Sequence, residues 1–132
     1  MNLQDYIPKN KFDIDKIEYL SKKKYPEYKL ILPDLFEWIK DMNWPVARKI
    51  APLLINAGED IVPIVKNILN TDDDVWKYWT LNYIVDKMDD SIILLIKNDL
   101  ERIVINPTDG EKIDEVDISA KQLLDKIGGR EK

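Results

Sequence analysis

The chain contains no cysteine and no histidine. Without cysteine there are no disulfides, thiolate metal sites or thiol nucleophiles. Without histidine the commonest metal ligand and the usual general base at neutral pH are both missing, so serine–histidine and cysteine–histidine mechanisms are excluded. Only four residues are glycine, and none falls in a phosphate-cradling loop, a Walker motif or a dinucleotide fingerprint. The longest apolar run, Ile92 to Ile96, has five residues, far short of the roughly 18 needed to cross a bilayer. Met1 to Asp13 lacks an apolar stretch of signal-peptide length, so cytoplasm is the expected compartment and no membrane contact is expected.

What remains reads as an ordinary folded domain. An apolar share of 45% argues against disorder. The 132 residues suit a single domain, 1–132, large enough to bury a core without staples. Scarce Gly with abundant Leu, Ile, Lys, Glu and Asp favours helix. Net charge is −5 and unevenly spread: residues 1–30 carry 7 basic and 5 acidic side chains, residues 31–132 carry 13 and 20. An acidic body repels nucleic acid and anionic lipid, and suits a basic protein partner. Lys22, Lys23 and Lys24 are the only basic run.

Periodicity predicts about seven helices. Residues 1–12 read as an arm that Ile7 and Phe12 could anchor. Asp13 is placed to cap a short helix carrying Ile14, Ile17 and Leu20. A second helix spans Leu30 to Asp41, with Pro33 in its first turn and Leu32, Leu35, Phe36 and Ile39 as its stripe. Trp44-Pro45 opens a third, with Val46, Ile50, Leu53, Leu54 and Ala57 inward, a kinking Pro52 and Gly58 as terminator. A fourth starts at Asp60 and buries Ile61, Ile64, Val65, Ile68 and Leu69. Asp72-Asp73-Asp74 precedes a fifth, from Val75 to about Met88. The sixth carries Ile92 to Ile105, and Pro107 stops it. Thr108-Asp109-Gly110-Glu111 is a capping-box pattern for a seventh, which runs to Ile127 and ends at Gly128-Gly129. Residues 128–132 are expected to fray.

These helices repeat. Ile31-Leu32-Pro33-Asp34-Leu35 matches Ile61-Val62-Pro63-Ile64-Val65 at a spacing of 30, and Asp41, Ile50, Leu53 and Leu54 match Asp72, Leu81, Ile84 and Val85 at 31. Asp114, Ala120, Leu123 and Ile127 echo Asp41, Ala47, Ile50 and Leu54 more weakly. A period in the thirties built from two helices is the signature of a stacked-pair α-solenoid. The pattern resembles HEAT-like repeats. Ile7-Pro8-Lys9-Asn10, Asp41-Met42-Asn43-Trp44-Pro45-Val46-Ala47 and Trp76-Lys77-Tyr78-Trp79 together resemble an uncharacterised bacterial domain-of-unknown-function family. That resemblance implies a helical-repeat fold and a bacterial origin, and carries no activity.

All four Trp lie between positions 38 and 79. In repeat register Tyr78, Leu81 and Val85 take core positions, while Trp76, Trp79 and Tyr83 form a second stripe in the places of Pro45, Arg48 and Pro52. That stripe is either a second core face or a binding surface, since Trp and Tyr dominate interface hot spots. Asp72, Asp73 and Asp74 lack the spaced ligands, central Gly and terminal Glu of a calcium loop, so helix capping explains them and no metal or cofactor is expected. The same holds for Asp86, Asp89 and Asp90. Paired carboxylates without further pattern carry no specificity for a glycosidase.

The expectation is therefore an all-α, short HEAT-like solenoid of about seven helices. It acts as a non-enzymatic interaction domain that docks a basic protein through Trp76, Trp79, Tyr83, Asp72, Asp73 and Asp74, as a toxin-neutralising immunity protein would. The alternative is a small-ligand binder or hydrolase using carboxylates in the solenoid groove.

Overall fold

The computed structural model describes residues 2–131, and the side chains of residues 2–128. The chain is all-helical, 74% helix, with no strand among the described residues. Nine α-helices appear there, where periodicity suggested about seven: α1 (Ile14–Ser21), α2 (Leu32–Phe36), α3 (Pro45–Asn56), α4 (Val62–Leu69), α5 (Asp74–Tyr83), α6 (Asp90–Leu95), α7 (Lys97–Ile105), α8 (Asp109–Ile113) and α9 (Val116–Glu131). No helix among them is long and apolar enough to cross a membrane. The chain divides into two compact units, Met1–Ile61 and Val62–Lys132.

In the first unit, α1 and α2 pack on α3. Ile17, Leu20, Leu32, Leu35, Phe36, Ile39, Val46, Ile50 and Leu54 are buried, which is the stripe the spacing demanded of each helix. Tyr28 is buried with them, and its hydroxyl donates to the Leu53 carbonyl at 2.8 Å. Tyr25 donates to the Asp60 carboxylate. The N-terminal arm contains a 3-10 turn, Leu3–Tyr6, closed by a capping box between Asn2 and Asp5. It is tied to α3 by the Val46 N–H donating to the Lys11 carbonyl at 3.1 Å. Phe12 is not its anchor: it is 67% exposed, and Pro8 is the buried residue of the arm. Asp13 does not cap α1. Its carboxylate accepts the Lys9 N–H at 3.1 Å and pairs with Lys16, and the Lys9 bond holds that carboxyl below the usual range.

The two proline segments behave alike. Lys29–Ile31 and Gly58–Ile61 are 3-10 turns that pass into α2 and α4 at Leu32 and Val62, one residue before Pro33 and Pro63. Pro lacks an N–H to satisfy, so the start of a helix accepts it. Gly58 has φ +60°, the left-handed conformation that ends a helix and that glycine takes without penalty. Ile50, Leu53 and Leu54 are all buried, and so are Leu81, Ile84 and Val85, but the first three lie within α3 whereas Ile84 and Val85 lie past the end of α5.

The extra helices come from breaks that periodicity cannot see. Residues 30–41 form 3-10, α2 and 3-10 pieces in place of one helix. The fifth helix stops at Tyr83 and not near Met88; the Ile84 N–H makes the last bond to the Thr80 carbonyl and a 3-10 turn, Val85–Lys87, follows, with Ile84, Val85 and Met88 all inside. Ile92–Ile105 is split at Ile96 (φ −110°, ψ 15°) with no Pro or Gly to mark the break. Residues 109–127 are split by Glu115 at φ +60°, which a right-handed helix cannot contain. At the other end, α9 runs through Gly128 and Gly129 to Glu131, because two glycines in a last turn weaken a helix without forbidding it. Of the tail expected at 128–132, Lys132 lies outside the described residues.

Candidate functional site

The second unit is built around α5, which packs against α4 and α9. Asp73 caps it: one carboxylate oxygen accepts the Trp76 N–H at 3.0 Å, a contact that stabilises a helix by about 1 kcal/mol. Thr71 braces the turn, accepting from the Asp73 N–H and donating to the Ile68 carbonyl. The buried side of α5 carries Lys77, Thr80 and Leu81. Tyr78, expected in the core, is only half-buried, and Lys77 takes the buried place beside it, 31 residues after buried Val46.

Lys77 is 3% exposed and Glu111 is fully buried. The Lys77 ammonium donates to Asp74 at 2.9 Å and to Glu111 at 3.1 Å. Arg102 grips the same Glu111 carboxylate with two nitrogens, at 2.5 and 2.8 Å, and reaches the Leu69 carbonyl at 3.3 Å. The expected capping box is present: the Glu111 N–H donates to the Thr108 hydroxyl, and the Thr108 N–H to Glu111 at 2.8 Å. Burial alone would raise the Glu111 carboxyl, but the bonds from Arg102, the Thr108 N–H and Lys77 outweigh it and hold it at about 2. The same pairing raises the Arg102 guanidinium. Gly110 lies against this cluster, where a Cβ would run into the Asp74 carboxylate. A polar cleft of about 490 Å³ opens beside it, lined in part by Asn70, Thr71 and Arg102.

This network divides the three aspartates. Asp72 and Asp73 are exposed at the start of α5, while Asp74 is turned to Lys77. No group of three or more acidic side chains that could hold a metal ion occurs among the described residues.

The aromatic stripe lies on the other side of the helix. Trp76 and Trp79 are half-buried and Tyr83 is 36% exposed. Tyr78 meets Trp79 edge-on with ring centres 5.3 Å apart, and Trp79 meets Tyr83 at 5.3 Å, giving a run of three rings. Their counterparts 31 residues earlier, Pro45, Arg48 and Pro52, are also half-buried or exposed. Beside the rings is a groove of about 300 Å³ lined by Val75, Tyr78, Trp79, Ile113, Asp114 and Glu115. Val75 is 45% and Ile113 78% exposed.

A family described as a domain of unknown function, DUF5071, matches residues 6–124. The chain belongs to that family. Comparison with curated proteins gives no match. The DUF5071 match spans all of the residues just described, from the cap of α5 to Glu115, and it brings no activity to them. The chemistry of the DUF5071 domain must be read from the side chains themselves.

Sequence reasoning missed Lys77, Arg102, Val75, Ile113, Asp114 and Glu115 as site residues. Ile113 misleads most. It extends the stripe Val116, Ala120, Leu123, Ile127 by three residues, which predicts burial, yet the left-handed turn at Glu115 rotates it out to solvent. Lys77 did carry a signal, a charge at the register position of Val46.

Proposed function

We propose that this DUF5071 domain is a non-enzymatic protein-interaction module, its helices stacked as HEAT-like pairs, that docks a basic protein on the outer face of α5. A cytoplasmic immunity-like role, masking a basic surface of a toxic partner, is the concrete form of this reading. One observation carries it. An aromatic and aliphatic groove with exposed aliphatic walls is also lined by Asp114 and Glu115, whose carboxylates have no ion pair or hydrogen bond among the described residues. Half-exposed rings offer contact area at low entropic cost, and unpaired acids beside them favour a cationic partner. The charge of the unit agrees: residues 62–132 carry 15 acidic and 10 basic side chains, whereas residues 1–61 carry 10 of each.

The rival reading, a hydrolase or ligand binder using cleft carboxylates, finds less support. Glu111 at about 2 stays ionised at neutral pH, and its oxygens are already occupied by Arg102, Lys77 and Thr108. A carboxylate so held is a poor proton donor and a poor base.

The test is capture from source-cell extract on the immobilised domain, run beside Trp79→Ala and Ile113→Glu. The expected result is a basic protein retained by the parent and lost by both variants, each shown by circular dichroism to be folded. Retention of the same protein by both variants, or capture only of acidic proteins, overturns the reading.

A further inference from the structure

The geometry points to a specific occupant for the α5–α8 groove: we propose that it receives an arginine side chain of the partner. This rests on the docking function proposed above and adds the chemistry of recognition. A volume of about 300 Å³ sits at the bottom of the roughly 300–1,000 Å³ range of small-ligand pockets. It has room for one long side chain.

The lining sorts by chemistry. Val75 and Ile113 supply exposed aliphatic walls that would cover the three-carbon stem of an arginine, as such stems cover apolar surface elsewhere. Tyr78 and Trp79, edge to face at 5.3 Å, line the same groove, and an aromatic ring face attracts a flat cation. Asp114 and Glu115 are adjacent lining residues whose carboxylates are unpaired among the described residues. A guanidinium can stack on a ring and still present two parallel N–H groups to a carboxylate. A lysine ammonium is a compact, strongly hydrated charge that cannot stack and bond in the same way. A neutral apolar side chain would leave both acids without a counter-charge.

Glu115 adds a positional argument. It is held at φ +60°, where glycine is favoured and a glutamate costs conformational energy. The left-handed turn ends α8 and starts α9, so Asp114, Glu115 and the displaced Ile113 reach the same groove. A continuous helix over these residues would spread three consecutive side chains around its axis.

The experiment is a titration of the nitrogen-15-labelled full chain with three blocked tripeptides, acetyl-Gly-Xaa-Gly-amide, with Xaa arginine, lysine or citrulline. The Trp79 indole and the amides of Val75, Ile113 and Glu115 report. The arginine peptide should shift these signals saturably, with lysine weaker by about tenfold and citrulline weaker still. Asp114→Asn with Glu115→Gln should remove most of the arginine response while leaving the rest of the spectrum unchanged. Equal response to lysine, shifts centred elsewhere, or an arginine response untouched by the double variant overturns the proposal. The parent reading fails separately. If the captured partner still depends on Trp79 while the peptides show no preference, docking stands and the arginine assignment falls. If the peptide preference appears but no partner depends on Trp79, the groove recognises arginine and the docking function falls.

Discussion

Lys77 and Glu111, 34 residues apart, meet at 3.1 Å with both side chains shut away from solvent. The pair joins α5 to α8, and Arg102 completes it from α7. A buried charge is costly unless every partner is in place. Glu111→Ala leaves Lys77 with Asp74 alone and the part-exposed Arg102 with only the Leu69 carbonyl, and should cost up to about 3 kcal/mol, read as a fall in the denaturant midpoint. Lys77→Met should cost less, because Arg102 still neutralises Glu111.

Acid should find the same joint. The folded Glu111 carboxyl sits at about 2 against an ordinary value of 4.5. A carboxyl lowered by folding contributes stability that is complete above the unfolded value and lost as pH falls through the folded one. The window is therefore from about 4.5 down to about 2, and the amount is of order 3 kcal/mol. Other acids titrate there too, so the measurement is the stability difference between the parent and Glu111→Gln. That difference should shrink steadily from pH 5 to pH 2.

Gly110→Ala is informative because propensity and packing disagree. Ala normally stabilises a helix interior by roughly 0.5–1 kcal/mol over Gly. At 110 the added methyl meets an Asp74 carboxylate whose other oxygen is already bonded to Lys77. Thermal melting should show a net loss, and the loss should diminish in an Asp74→Ala background.

Matched core positions test the repeat register. Leu54 is fully buried and Val85 nearly so, 31 residues later. Leu54→Ala should cost roughly 2–5 kcal/mol and Val85→Ala somewhat less, with urea midpoints shifting in both. An unmoved midpoint at either position breaks the correspondence.

The three aspartates should behave differently with the captured partner. Asp72→Asn with Asp73→Asn removes two exposed charges, and Asn still caps a helix. Association should slow and lose part of its salt dependence, as expected when steering charges are deleted. Asp74→Asn acts on Lys77 and should lower stability with little change in association rate.

Much of the helical pattern was legible because it depends on spacing alone. Leu32, Leu35, Phe36 and Ile39 are buried where the period puts them, and the Thr108–Glu111 capping box forms as its residue types require. The breaks were not legible. The helices break at Ile84 and Ile96 with no Pro or Gly nearby. The candidate site was half legible. Trp79 lines the groove and Tyr83 packs against it, but the groove's other wall follows a left-handed conformation at Glu115 that no local pattern announces. The partition of the aspartates was also hidden, since Asp74 is claimed by Lys77, whose burial depends on Glu111 from a distant helix.

The left-handed backbone at Glu115 places ruggedness and recognition in opposition. Any L-residue there is strained by about 1 kcal/mol or more, and glycine is not. An engineer hardening this domain would reach first for Glu115→Gly, and a screen for heat resistance should return it. The hardened protein would have given up one of the two acids that line the groove, so on the proposed docking reading selection for endurance alone should yield variants that survive well and grip poorly.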